Sequence, residues 1–142
     1  MHNRFALLAF FGIVAFLLAC GAVKKTQECN ALIEKINSAQ QEAEKVTSSS
    51  EPSAADMKKF ADLLDKLATD IKGMDISTEE LKGYATEYGE MASKTGSAAR
   101  KVAEALETKD LDKANAAQKE FQGISGKEDA LVDKINTFCG AP

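Results

Sequence analysis

"LKGYATEYGEMASKTGSAARKVAEALE", residues 81–107, decides the fold. One seam runs through Leu81, Tyr84, Tyr88, Met91, Thr95, Ala98, Val102 and Ala105, with spacings of three and four alternating. That rhythm is the 3.5-residue period of helices packed in a left-handed, coiled-coil-like manner. A second seam of small residues runs beside it: Ala85, Gly89, Ala92, Gly96, Ala99 and Ala103. Ser77-Thr78-Glu79-Glu80 just upstream reads as a capping box, so a helix is predicted over about 77–108. Gly83, Gly89 and Gly96 each weaken it by roughly 1 kcal/mol against alanine. A row of small side chains lets a neighbouring backbone approach closely, which accounts for two of them. The sharper alternative is a ligand groove, with Tyr84, Tyr88, Gly89, Met91 and Gly96 as the candidate apolar lining.

The same period extends to both sides. Cys29, Ile33, Ile36, Gln40 and Ala43 define a helix over about 27–47, which "TSSSEPS" interrupts. Ser53, with Asp56 three residues on, caps a second over about 53–72, whose seam is Met57, Phe60, Leu64, Leu67 and Ile71. Gly73 is placed to end it in the left-handed conformation. Beyond a tight Thr108-Lys109-Asp110 reversal, with Asp110 as cap, the last element covers about 110–139. Its seam, Ala114, Ala117, Phe121, Ile124, Glu128, Leu131, Ile135 and Phe138, passes unbroken through Gly123 and Gly126. One helix, kinked there, is therefore expected over two. Short connections make successive helices antiparallel neighbours, so the fold class is all-α: an up-down-up-down four-helix bundle, residues 27–142. Asp62/Lys66 and Glu90/Lys94 are acid-before-base pairs expected on solvated faces.

An apolar segment precedes the bundle. From Phe5 to Ala19 every residue is apolar or glycine, and the run closes on Leu17-Leu18-Ala19-Cys20, followed by Gly21 and then Lys24-Lys25. It is short of the ~20 residues that span a bilayer comfortably. The four closing residues resemble the bacterial lipobox, with leucine three positions before the cysteine and a small residue just before it. The resemblance implies a lipoprotein signal peptide over 1–19, removed on maturation. It also implies an N-terminal Cys20 bearing diacylglycerol and an added acyl chain of the palmitate type, and a tether over 20–26. Each buried methylene contributes about 0.8 kcal/mol, so two or more chains anchor stably where one does not. Glycine after the cysteine points, by analogy, to the outer membrane facing the periplasm rather than the inner membrane. Two other readings of the stretch are an uncleaved anchor over Phe5–Val23 and an ordinary secretory signal. Small residues at both cleavage positions of such a signal are hard to place here.

Two further cysteines remain. Cys29 lies in the first turn of helix one and Cys139 in the last turn of helix four. A bundle with an even number of antiparallel helices begins and ends at the same end, and the compartment implied by the lipobox is oxidising. A Cys29–Cys139 disulfide is expected; two buried thiols are the bland alternative.

Removing 1–19 from 142 residues leaves 123, enough for one small domain. Arg4 leaves with the leader, so 17 of the 18 basic residues face all 22 acidic ones, a net of −5. Without a basic stripe, no nucleic-acid partner is expected. The only histidine, His2, also leaves, and with it the commonest general base and metal ligand. No Glu-x-x-His repeat of a di-iron bundle is present, and "GISGKED", 123–129, lacks the spacing of a phosphate loop. Neither a catalytic residue nor a metal or other cofactor is assigned. Glu128 is the oddly placed carboxylate, expected at a bundle edge or kink. The reading is a non-enzymatic, membrane-anchored lipoprotein acting as an exported interaction or structural module of the cell envelope. Its partners would be the membrane through Cys20, and an envelope protein or peptidoglycan. The alternative is a carrier or chaperone-like module holding an apolar ligand or peptide between its helices.

Overall fold

A computed structural model describes residues 5–48 and 52–140, with side chains from Gly21 onward except that of Ser125. The fold is all-α, with no strand among the described residues. Five helices follow in order: α1 (Phe5–Thr47), α2 (Ala54–Lys72), α3 (Glu79–Thr108), α4 (Leu111–Ser125) and α5 (Glu128–Cys139). The side chains of the lipobox, Leu17 to Cys20, and of the rest of the leader lie outside the described residues. Downstream, no helix among the described residues is long and apolar enough to cross a membrane.

Helix α1 begins far upstream of the expected boundary at residue 27 and runs through 20–26 without a break. Thr26 is the residue there suited to a cap, yet its hydroxyl donates back to the Ala22 carbonyl at 3.0 Å and stays within the helix. The α1 seam also differs from expectation. Leu32 and Ala39 are buried beside Cys29 and Ile36, while Gln40 is exposed and Ile33 half-buried.

The cap of α2 is as expected: Ser53 Oγ accepts from the Asp56 N–H, and the Asp56 carboxylate accepts from the Ser53 N–H. Gly73 ends α2 but not in the left-handed region. Its φ of −82° is right-handed, because its N–H reaches back to Thr69 and Asp70 and the chain coils on through Met74. The left-handed turn falls at Lys109, φ 53°, and Asp110 then caps α4 by accepting from the Lys113 N–H at 3.0 Å.

The last element is two helices, correcting the expectation of one. At Gly126 and Lys127 ψ rises to −10° and −13°, against about −42° in a regular α-helix. The Lys127 N–H binds Ile124, three residues back, and regular bonding resumes from Leu131 to Lys127. This turn unwinds the chain while keeping it near right-handed geometry. The seam's phase therefore survives a break it did not reveal: Phe121 and Ile124 before it, and Leu131 and Ile135 after it, all turn inward.

Cross-helix pairs join successive helices, and rising numbers on α2 meet falling ones on α3, Lys58 with Glu107 and Asp62 with Arg100, so these two run antiparallel. Lys35 meets Asp70 between α1 and α2, Arg100 meets Asp62 and Asp65 between α3 and α2, and Lys101 meets Glu120 between α3 and α4. These pairs are exposed and contribute little individually. Of the expected local pairs, Asp62 is taken by Arg100 and Lys66 by Asp70, and Glu90 and Lys94 form none among the described residues. Of these, only Asp62 is drawn to a partner on a neighbouring helix; Lys66 instead takes Asp70, an i,i+4 partner on its own helix. The main core lies where α1, α2, α3 and α5 meet, around Leu32, Ile36, Leu67, Ile71, Leu81 and Ile135. A smaller cluster of Met57, Ala61, Ala99 and Ala103 holds α2 to α3 at the other end.

Candidate functional site

At the end where α1 enters the bundle, Cys29 and Cys139 are joined by a disulfide, with Cα atoms 5.7 Å apart. Because α4 and α5 together form one leg antiparallel to α3, the chain makes an even number of legs and both cysteines fall at one end; burial of Cys29 at 2 % exposure directs its sulfur inward. The bond ties α5 to α1 and closes the ring of helices there. The rings of Phe138, one residue before, and Tyr84 meet edge to face with centroids 5.8 Å apart, and the Lys25 ammonium lies 3.9 Å from the Phe138 centroid. The last turn of α5 thus lies against Lys25, inside the segment expected to form the tether.

Beside the disulfide lies a residue that sequence reasoning missed. Glu28 is 7 % exposed and its carboxylate accepts four hydrogen bonds: from the N–H and Oγ of Ser77 and from the N–H and Oγ1 of Thr78, at 2.6–3.1 Å. The expected capping box at Ser77–Glu80 does not form. Thr78 occupies the N-cap position with no side-chain cap bond, and α3 starts at Glu79. A carboxylate from α1 supplies the negative charge that the α3 N-terminus favours. The hydroxyls of Thr78 and Ser77, followed by the Ser77 backbone, hold the Glu28 carboxyl down at about 2. The available signal was an acid placed directly before a seam cysteine.

The five residues proposed as one apolar groove do not come together. Gly96 faces α2 closely: a methyl group there would lie 3.1 Å from the Ala61 carbonyl oxygen and 3.1 Å from Asp65 Oδ1. Gly89 has more room, with the Ala68 carbonyl at 3.7 Å, and lines a groove of about 730 Å³ between α2 and α3. The small seam therefore packs one helix against another, and close approach is required at Gly96 alone. Gly83 faces open space. Tyr84 donates to Glu80 at 2.8 Å, which raises its pKa, and packs on Phe138 as described. Only Tyr88 and Met91 share a cavity.

That cavity opens in the half of the bundle away from the disulfide. There α1 packs on α2 and α4 packs on α3, without close packing between α1 and α4. Between them remains a cleft of about 370 Å³. Phe60, Leu64, Leu67, Met91 and Phe121 form its apolar lining, and Ala39, Ala43 and Thr47 form the α1 wall. Phe60 and Phe121, with ring centroids 6.0 Å apart, pack together at one side of it. At its other end, Tyr88, 2 % exposed, donates to Glu128 Oε1 at 2.7 Å. Burial, then the bond to that carboxylate and its charge, push the Tyr88 pKa strongly upward, so the phenol remains a donor. Glu128 stands at the helix break, as its position in the seam implied, within the first turn of α5. The partial positive charge of that helix terminus suits it there.

On the outer surface, Leu106 and Leu111 are 43 % and 77 % exposed around the α3–α4 turn, the end opposite the disulfide. Among the described residues, no group of three or more histidine, cysteine, aspartate or glutamate side chains is placed to hold a metal ion. In comparison with known proteins, no family model, no curated protein and no solved structure matches the chain.

Proposed function

We propose that this protein is a non-enzymatic lipoprotein of the bacterial envelope, anchored through acyl chains on Cys20 and engaging a partner with its membrane-distal end. The address rests on the apolar leader and the Leu17-Leu18-Ala19-Cys20 lipobox. The observation that carries the interaction reading is the pair of exposed leucines, Leu106 and Leu111, at the end of the bundle opposite the α1 entry. From Cys20 the axis of α1 runs away from the anchor. Residue 39 lies about 29 Å along it at 1.5 Å per residue, and the α3–α4 turn lies beyond. Large apolar side chains at such a tip suit a protein surface better than a sugar polymer, so an envelope protein is preferred to peptidoglycan.

Crosslinking in intact cells tests this, comparing the natural protein with a Leu106→Ser/Leu111→Ser variant. The expected result is a defined adduct that the variant loses at unchanged helicity. An adduct insensitive to both leucines would remove the reading. Intact mass of the purified protein checks acylation of Cys20 and loss of 1–19. The cleft of about 370 Å³ favours a second reading, a carrier of a small apolar ligand.

A further inference from the structure

The cleft between α1 and α4 is apolar along its floor, yet the charged groups lining it are all of one sign: Glu128 at the Tyr88 end and Glu44 on the α1 rim. No lysine or arginine lines it, and no cation pairs with Glu128 or Glu44 among the described residues. Tyr88 uses one carboxylate oxygen of Glu128, which leaves Oε2 for another donor. The α1 wall extends from Ala39 to Thr47, about 12 Å of helix. The geometry points to a site for an aliphatic ammonium amphiphile. Its cationic head would pair with Glu128, and its chain would lie along Leu64, Leu67 and Met91 toward Phe60 and Phe121.

Each part of that ligand answers a feature of the cleft. An ammonium supplies the donors that Glu128 Oε2 lacks and the charge that two carboxylates attract. An anionic head would meet like charges in a partly water-excluded space. A chain of about eight carbons matches the ~12 Å length of the α1 wall better than the four methylenes of a lysine side chain. Within the protein itself, the α5 N-terminus and the Tyr88 hydroxyl hold the carboxylate in place. This inference rests on the carrier reading.

The test uses the acylated chain from Cys20 onward in zwitterionic lipid nanodiscs, with its three methionines methyl-labelled and read by NMR. Met91 lines the cleft; Met57 does not and serves as the internal control, and Met74, in the groove between α2 and α3, reports binding there instead. Octylammonium and octanoate carry opposite heads on eight-carbon molecules. Octylammonium is expected to shift Met91 alone and to bind at least about tenfold tighter than octanoate, as one charge-assisted hydrogen bond would give. Glu128→Gln, which preserves an acceptor for Tyr88, removes that preference, and Glu44→Gln on the rim reduces it. Equal binding of both heads overturns the charge selection and leaves the carrier reading standing. If neither moves Met91, both fail. Equal movement of all three methionines, or a response to N-acetyl-lysine amide matching that to octylammonium, also overturns the inference.

Discussion

Gly96 and Gly83 lie on the same helix, and replacing each by alanine tests how closely α3 approaches α2. Both substitutions gain the same helix propensity, about 1 kcal/mol. At Gly83 nothing lies within 4 Å of the new methyl, so the gain is realised whole. At Gly96 the methyl meets the Ala61 carbonyl oxygen and Asp65 Oδ1, each at 3.1 Å. The carbonyl belongs to the α2 backbone and yields only if the helix moves, and Asp65 is held by Arg100 at 2.6 Å. Overpacking of this kind costs about 1–3 kcal/mol. Because propensity cancels in the comparison, the two variants should differ by that steric cost alone. For a domain of this size, 1 kcal/mol corresponds to roughly 3–6 °C in Tm. Gly83→Ala should therefore melt above the natural protein, and Gly96→Ala several degrees below Gly83→Ala. Thermal unfolding followed by circular dichroism, with the disulfide intact, reads the difference. Equal stabilisation by both would refute the close approach and reopen the small seam as a groove.

Glu28→Gln should lower Tm at neutral pH, since an amide cannot accept from all four donors of Ser77 and Thr78. The Glu28 carboxyl is depressed from 4.5 to about 2 in the folded state. Its stabilisation is therefore complete above the unfolded value and disappears as pH falls from 4.5 toward 2. Melting curves of the variant and the natural protein should converge across that window, and a gap constant down to pH 2 would contradict it. Reducing the Cys29–Cys139 bond opens a loop with a sequence separation of 110, for which chain entropy gives at most about 4.7 kcal/mol. Denaturation with and without reductant should show a marked loss, with little change in the helicity of α2 and α3. Tyr88→Phe removes the donor to Glu128 and should cost about 1–2 kcal/mol in urea unfolding. A neutral result would mean that water replaces the hydroxyl.

Much of the architecture was legible before any coordinates. Ser53 and Asp110 announced their caps, the two seams of α3 are both turned inward, and the paired cysteines follow from four antiparallel legs, α4 and α5 forming the last one. These features are local or topological: a side chain bonding three residues away, a 3.5-residue phase, a count of reversals. The candidate groove was legible only in part, for Tyr88 and Met91 share the cleft while Tyr84, Gly89 and Gly96 face elsewhere. Successive helical residues point about 100° apart, and which neighbour each meets depends on how that helix is rotated against the others.

Composition and periodicity alone settled that the chain is helical, where its reversals fall and which cysteines could meet. Only tertiary packing decided that Glu28 caps a helix it does not belong to, that Arg100 takes Asp62 from Lys66, and that a turn at Gly126 coincides with an unclosed half of the bundle. The physical reason is range. Caps and seams act over one or two turns of a single helix, so the order of residues specifies them. Separations between helices are set jointly by every side chain in the interface, and a cleft is a sum over all of them.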